Sequence, residues 1–396
     1  MILEARERVG GRCWTRRLPG VSAPVELGAE FIHGQPDVTL RLLKKAGIAA
    51  VDSVRTSCYA SGGKLAPIDA FAEAKRAVRG VVVHEDVSFA TFLARRRLAA
   101  RTRTFARLMV QGFDAADPAC ISARSIVEEW GGGTSMGASQ PRPARGYRPI
   151  LEGLAAEALG KGARLRLQAV VRCIRWQPGA VEIEGDFLGE RFVERANRAI
   201  VTLPLGVLQA GAVRFRPALR DKRKALGQLA SGPVIKAALR FEHPFWEERW
   251  PGTAFFHVPR ASFPTFWTPL PARVPLLIAW AGGPKAERLA RVSEKNLIKE
   301  ALHGVHALFG RFPALQAALV HDWRRDPYAR GAYSYVRVGG EGARENLAAP
   351  VADTLFFAGE ATDTTGEAGT VAGALQSGMR AARQLLAERR LSSTQP

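Results

Sequence analysis

The segment spanning residues 355–379 constrains the fold more than any other part of the sequence. It begins with an apolar run, 355–358, which predicts a buried strand. Gly359 and Glu360 follow, and after a turn rich in threonine and glycine a helical pattern begins at about Val371. This succession directs several backbone N–H groups toward one point, which suits a phosphate or another electron-rich group. An ordinary strand–helix unit with small residues for packing is the alternative interpretation.

The start of the chain carries a second pattern of this kind. Residues 2–12 form a strand end, an acidic residue and a Gly-Gly-Arg turn. In a dinucleotide-binding βαβ unit, an acid such as Glu4 at a strand end accepts hydrogen bonds from ribose hydroxyls. Gly10 and Gly11 allow the backbone to approach a pyrophosphate, and Arg12 can neutralise its charge.

The motifs Leu-Glu-Ala-Arg-Glu-Arg-Val-Gly-Gly-Arg near the start and Phe-Ala-Gly-Glu-Ala-Thr near the end are together far more specific than either alone. With them the chain resembles the flavin-dependent amine oxidases, the family of the monoamine, polyamine and spermine oxidases and the flavin-type histone lysine demethylases. The resemblance runs from Ile2 to about Leu386. In the family, a Gly-x-Gly-x-x-Gly segment precedes the ribose-binding acid by about 20 residues. We therefore expect the first strand and glycine loop of the FAD-binding domain to be missing before Glu4.

The resemblance implies an α/β fold with two domains. The first is a discontinuous, doubly wound, Rossmann-like domain that binds FAD and takes residues 1–50, 145–210 and 340–396. The second is a substrate-binding domain of mixed sheet and helices that takes residues 51–144 and 211–339.

The resemblance also assigns cofactor contacts. The backbone of Gly28 and Ala29 is expected close to the flavin ring, Trp323 beside it, and the backbone of Val171 at the adenine. Ala332 stands where monoamine oxidases carry the cysteine that bonds the flavin, so the FAD is expected to be non-covalent. The remaining contacts are expected at the two ends of the chain: Glu4, Gly10, Gly11, Arg12, Gly359, Glu360, Thr370 and Val371.

Three residues are expected at the reacting end of the cofactor. The family places a lysine at the position of Lys236, where it holds a water against flavin N5. Tyr333 aligns with one wall of the aromatic cage that brackets an amine, and Thr370 aligns with the other wall, which leaves the cage half open. His33 falls where spermine oxidase-like members carry a histidine that faces the substrate.

Lys236 has an alternative explanation in the sequence itself. It interrupts an alternating apolar segment, 232–241, and a lysine in such a run also guards an edge strand against aggregation. Aromatic residues then recur in short segments from 245–248 to 276–280, a pattern that favours an antiparallel sheet.

Composition limits the partners and the compartment. A formal net charge of +20 raises the possibility of a nucleic-acid partner, but the arginines are dispersed and no binding motif appears, so none is expected. No apolar run is long enough for a membrane span. The four cysteines are scattered and His303 and His306 have no third ligand nearby, so no metal site is expected and a cytoplasmic location is favoured.

The chemistry implied by the resemblance is oxidation of a polyamine-like or other primary or secondary amine. Hydride passes to flavin N5, the imine is hydrolysed to an aldehyde, and dioxygen becomes hydrogen peroxide. Three alternatives stay open at this point: another flavoenzyme of the same fold, such as an L-amino-acid oxidase or a desaturase, a truncated non-catalytic remnant, or a basic nucleic-acid binder. The oligomeric state is left undetermined.

Overall fold

The computed structural model describes residues 1–61, 63–131 and 140–392. The strands in these residues are, in chain order, β1 (Ile2–Leu3), β2 (Thr15–Arg16), β3 (Val25–Glu26), β4 (Ala50–Val51), β5 (Ser57–Ser61), β6 (Lys64–Ile68), β7 (Arg142–Pro143), β8 (Leu165–Arg166), β9 (Ala169–Gln177), β10 (Ala180–Phe187), β11 (Glu190–Ala196), β12 (Ala199–Val201), β13 (Arg214–Arg216), β14 (Leu229–Ser231), β15 (Val234–Phe241), β16 (Phe255–His257), β17 (Thr265–Trp267), β18 (Leu276–Gly282), β19 (Leu315–Asp322), β20 (Ser334–Val336) and β21 (Leu355–Phe357).

The α-helices in the same residues are α1 (Asp37–Lys45), α2 (Ala70–Lys75), α3 (Phe89–Ala94), α4 (Ala100–Gly112), α5 (Ala123–Gly131), α6 (Arg148–Gly160), α7 (Leu205–Gln209), α8 (Arg223–Gln228), α9 (Pro284–Arg288), α10 (Glu294–Phe309), α11 (Ala343–Ala348) and α12 (Val371–Ser392). None of these helices combines the length and the apolar character that crossing a bilayer requires.

A seven-stranded mixed sheet forms the largest layer. Its strand order is β19-β15-β18-β17-β16-β5-β6, with β16 parallel to β5 and the other neighbours antiparallel. Apolar side chains of this sheet pack against the inner face of α10, where Leu297, Ala301 and Val305 are buried. Because β15 pairs with β18 on one side and β19 on the other, it lies inside the sheet, and the edge-strand explanation of Lys236 is wrong.

Two of the parallel strand pairs in the described residues form separate two-stranded ladders. Strand β1 pairs with β8, and β12 pairs with β21. A further sheet, of order β11-β10-β9-β13, lies beside them and carries cross-strand ion pairs such as Arg175–Glu184. Helices, a mixed sheet and these parallel ladders together confirm the predicted α/β class.

The strand–turn–helix unit at residues 355–379 is confirmed. Strand β21 is fully buried, and Phe356 packs against Ala381 of α12. Helix α12 begins at Val371, as the pattern indicated, because the Thr370 hydroxyl accepts a hydrogen bond from Gly373 N at 3.0 Å and caps the first turn.

The prediction that residues 245–248 belong to a sheet is wrong. They form a short 3-10 turn that follows Pro244, in which Phe245 N donates to His243 O at 2.9 Å. The aromatic rings of this turn still enter the core, because Phe245 and Trp246 pack against Phe241 of β15. Burial of aromatic area therefore did not require a strand here.

Candidate active site

One large cavity, about 900 Å³ in volume, is bordered by both ends of the chain and by its middle. This is near the upper end of the range for small-molecule and cofactor sites. Thirteen of the residues expected at the site line it: Gly10, Gly11, Arg12, Gly28, Ala29, His33, Lys236, Trp323, Tyr333, Gly359, Glu360, Thr370 and Val371.

Glu360 joins three distant segments at the wall of this cavity. Its Oε1 accepts a hydrogen bond from Arg12 Nη1 at 2.8 Å. Its Oε2 accepts hydrogen bonds from Ser334 N, Ser334 Oγ and Gly369 N at 3.2, 2.7 and 3.1 Å. Burial alone raises the pKa of this carboxyl, but Arg12 and Arg344 outweigh it and lower the pKa, so Glu360 is a buried anion.

The first two turns of α12 form another part of the wall. The helix face with Val371, Ala374, Leu375 and Gly378 lines the cavity, so residues without polar side chains face the open space. At Gly11, Gly359 and Gly366, which also line it, an added Cβ would meet no atom within 4 Å. Bare backbone thus borders the cavity, and a flat ligand can approach it closely.

Gly28 is required by the contact between two backbone segments. A Cβ at this position would overlap the carbonyl oxygen of Arg12 and would lie 3.0 Å from the indole of Trp323. The same two segments are joined by the Ala29 N–H, which donates to Arg12 O at 3.2 Å. Trp323 is buried behind them, with its Nε1 donating to Leu27 O at 2.8 Å.

Lys236 is fully buried in β15, and its Nζ lies beside an acidic residue that the sequence did not single out. Nζ donates to Glu30 Oε2 at 2.7 Å and to Gly28 O at 3.3 Å. Glu30 lines the same cavity and is also paired with Arg142, at 2.8 Å. A lysine inside an apolar run needs a carboxylate partner, and that requirement is the signal that could have drawn attention to Glu30.

Tyr333 and His33 both contact Phe113. The Tyr333 hydroxyl donates to Phe113 O at 2.6 Å, and the His33 ring packs edge-on against the Phe113 ring with centroids 5.3 Å apart. Burial lowers the pKa of His33 to about 4, so the imidazole is neutral near neutral pH. Its Nδ1 is buried without a hydrogen-bond partner in the described residues.

Two acids on neighbouring helices border the same region and were not predicted as a pair. Asp114 follows α4 and Glu129 lies on α5, and both line the cavity. Burial, followed by the proximity of Glu129, raises the pKa of Asp114 well above its ordinary value. Oδ2 of Asp114 is buried with no hydrogen bond of ordinary geometry in the described residues. The Asp114 carboxyl therefore favours its protonated form more than an exposed carboxyl does.

Glu4 and Val171 are not among the residues that line the cavity. The side chain of Glu4 turns back on its own segment, where Oε1 accepts a hydrogen bond from Arg6 N at 2.8 Å. Val171 lies on β9 and packs within the apolar cluster around Ile174 and Val181. Arg6, two residues after Glu4, does line the cavity.

Comparison with known proteins defines the class of this chain. The chain belongs to the flavin-containing amine oxidoreductases, because the model of that family matches residues 1–70 and 59–386. This confirms the family that the two terminal motifs predicted.

Similar proteins include both demethylases and oxidases. Lysine-specific histone demethylase 2 of Homo sapiens is 33% identical over 254 residues, which cover 61% of this chain and 30% of that protein. The chain thus spans less than a third of the length of this relative. Polyamine oxidase 3 of Oryza sativa subsp. japonica is 28% identical over 426 residues, 97% of this chain and 83% of that protein.

The fold is also that of a solved oxidase. A structure of putrescine oxidase bound to putrescine superposes with a TM-score of 0.80 and 22% sequence identity, covering 97% of this chain and 93% of that one. At this level of identity the similarity establishes the shared fold alone.

The cavity residues fit the flavin that the family implies. The bare glycine backbone at Gly11, Gly359 and Gly366 leaves room for a flat ring system or a diphosphate. The N-terminus of α12 borders the same space and favours an electron-rich group. Cys13 also lines the cavity, but burial raises the pKa of its thiol to about 12, which keeps it protonated and unreactive.

Proposed function

We propose that this chain binds FAD non-covalently in the cavity and oxidises the C–N bond of a small amine to an aldehyde. The overall reaction consumes the amine, dioxygen and water and yields the aldehyde, ammonia and hydrogen peroxide when the amine is primary. One observation carries the proposal: Gly10 to Arg12, the Gly359 to Val371 unit and Lys236 border a single cavity although they are far apart in sequence.

The two chain ends would hold the cofactor. Gly10, Gly11 and Gly359 offer backbone, and the start of α12 offers its dipole, to the diphosphate and the ring. Bound there, FAD supplies a hydride acceptor and afterwards passes the electrons to dioxygen. Non-covalent binding is supported by the small side chain of Ala332 and by the protonated state of the Cys13 thiol.

The residues of the other cavity wall would orient the amine. Tyr333 is fixed by its hydrogen bond to Phe113 O, so its ring offers a rigid apolar wall beside the substrate. Its hydroxyl stays protonated, because burial and the nearby Asp114 raise its pKa well above the ordinary value. His33 is neutral and keeps one buried nitrogen for a hydrogen bond without repelling a cation. Lys236 would hold a water molecule near the reacting atoms.

The acidic pair favours a substrate with a second ammonium group. A cation between Asp114 and Glu129 would replace a proton on the Asp114 carboxyl, whose pKa is raised by burial and by the proximity of Glu129. A diamine such as putrescine is therefore our first candidate. An amino-acid oxidase would need a free guanidinium for the carboxylate, whereas both Nη atoms of Arg344 in the cavity wall already donate to Ser334.

The test uses purified protein and two substrates of equal chain length. We expect the visible absorbance of flavin, its release into the supernatant on acid precipitation, and peroxide formation from putrescine. Asp114→Asn should raise the KM for putrescine on the order of tenfold, because one charge-assisted hydrogen bond is lost. The KM for butylamine, which has no second ammonium group, should not change. Asp186→Asn on the exposed face of β10 is the matched control.

Two results would reject parts of this proposal. A protein that stays colourless after incubation with FAD contradicts the cofactor. A protein that binds FAD but forms peroxide from amino acids and not from amines contradicts the substrate class.

A further inference from the structure

The surroundings of Lys236 Nζ are those of an ammonium ion. Glu30 Oε2 lies at 2.7 Å and the carbonyl oxygen of Gly28 at 3.3 Å. The ring centroids of Trp267 and Trp280 lie 5.1 and 6.0 Å from Nζ, within the range of cation–π attraction. Since the side chain is fully buried, this charge depends on those neighbours for its stability.

The ammonium group of Lys236 has one more N–H group than its protein partners accept. An ammonium has three N–H groups. Within the described residues, Glu30 and Gly28 O accept two of them. Lys236 is among the residues that line the cavity. A lysine held in this way can donate a hydrogen bond but cannot accept a proton.

Glu30 is itself held rigidly. Its Oε1 accepts hydrogen bonds from Arg142 Nε at 2.8 Å and from Trp267 Nε1 at 3.0 Å. The Arg142 guanidinium is in turn fixed by the carbonyl oxygens of Leu270 and Thr268, at 2.8 and 3.1 Å. The carboxylate therefore has one oxygen hydrogen-bonded to Arg142 and Trp267 and the other hydrogen-bonded to Lys236.

The charges around this group keep Glu30 anionic. Burial opposes ionisation, but Lys236 and Arg142 outweigh it and lower the pKa of Glu30. Glu26 is the other nearby acid, and burial raises its pKa to about 7, so it provides little negative charge below neutral pH. Glu30 is thus the main counter-ion of two buried cations.

We propose that Glu30 is a positioning residue that keeps Lys236 in its ammonium form and aims its free N–H into the cavity. The catalytic consequence rests on the proposed function: Lys236 would act as a fixed hydrogen-bond donor to the water beside the flavin and never as a base. The contacts of Lys236 with Glu30 and Gly28 do not depend on that function.

The charge state can be measured without any turnover. Protein labelled with ¹³C and ¹⁵N in lysine gives NMR signals from each side-chain amino group, and the signal missing in Lys236→Met identifies Lys236. In Glu30→Gln, which keeps the shape and removes the charge, we expect a weaker ammonium signal than in the wild type at the same alkaline pH. Arg142→Met also breaks one contact of Glu30 but leaves the counter-ion, so the ammonium should persist.

The kinetic arm measures flavin reduction by putrescine in the absence of oxygen. Glu30→Gln should lower the limiting rate and shift its pH profile, while Glu152→Gln on the exposed face of α6 should change neither. Should Glu30→Gln fail to fold, Glu30→Asp replaces it: the ammonium is expected to persist, with a lower kcat and an unchanged KM, because the charge remains but is displaced.

Two outcomes would overturn the proposal. One is an identical Lys236 titration in Glu30→Gln and wild type, and the other is a Glu30→Asp enzyme with wild-type kcat. A wild-type protein that shows no amine oxidation would reject the proposed function and leave the NMR result standing, so the two failures are distinguishable.

Discussion

Replacing Glu360 with glutamine should destabilise the protein by about 3 kcal/mol. The carboxylate accepts four hydrogen bonds, one from Arg12 on Oε1 and three from Ser334 and Gly369 on Oε2. Glutamine offers one acceptor and one N–H₂ group, so in either orientation an N–H₂ group faces a donor. In the better orientation the amide oxygen keeps the three bonds on the Oε2 side, and the N–H₂ group meets the Arg12 guanidinium.

The magnitude follows from the exposure of the pair. Removing one partner of a buried ion pair costs about 3–5 kcal/mol. The Glu360 side chain is 5% exposed, but that of Arg12 is 21% exposed, so part of its charge can be solvated and the lower end applies. Arg12 also keeps its hydrogen bond to Ala332 O at 2.6 Å, which limits the loss.

Urea unfolding of Glu360→Gln at neutral pH checks this value. Because the folded-state pKa of Glu360 is lowered, its contribution is fully present above the ordinary carboxyl range and is lost as the pH falls. The difference between variant and wild type should therefore shrink in acid. Glu152→Gln removes an exposed pair with Arg148 and should cost less than about 0.5 kcal/mol. Equal unfolding free energies for Glu360→Gln and wild type would refute the reasoning.

Three further predictions concern positions around the cavity. Gly28→Ala should destabilise the protein by about 2 kcal/mol or more and weaken ligand binding, because the added methyl group overlaps Arg12 O. Thermal unfolding measures the loss of stability, and a flavin titration measures the loss of binding. Burial raises the pKa of Glu26 from 4.5 to about 7, so the contribution of Glu26 to stability should fall by about 3 kcal/mol as pH rises from 4.5 to 7. Unfolding of Glu26→Gln, which stays neutral, should lack that fall, and an identical pH dependence would contradict the assignment. Thr370→Val should cost about 1 kcal/mol because Gly373 N loses its cap, and an unchanged urea midpoint would contradict it.

Local patterns of the sequence predicted the strand–turn–helix unit that forms one wall of the cavity. The apolar run before Gly359 and the small residues after Thr370 determine a strand, a turn and a helix start within a few residues of one another. Such signals depend on neighbours in sequence, so no knowledge of the tertiary fold is needed to interpret them. The α/β class was predicted from the family resemblance that the terminal motifs carry.

The charged groups inside the cavity were harder to predict, because their meaning depends on contacts between distant segments. Lys236 and Glu30 are 206 positions apart, and the tertiary fold brings one beside the other. Asp114 and Glu129 likewise become a pair only when α4 and α5 pack together. The sequence pattern shows a charge in an apolar run, but it does not show which partner satisfies that charge.

The wall formed by Gly359, Glu360 and α12 has a consequence for biosynthesis. When the last strand of the seven-stranded sheet has been translated, Gly10 and Lys236 have already been synthesised. The cavity wall that includes Gly359, Glu360 and the start of α12 has not yet been synthesised. Ligand capture by this chain is therefore a late event, which follows the emergence of its last strand and helix. A nascent chain arrested before Leu355 has no closed pocket in which to retain a small molecule.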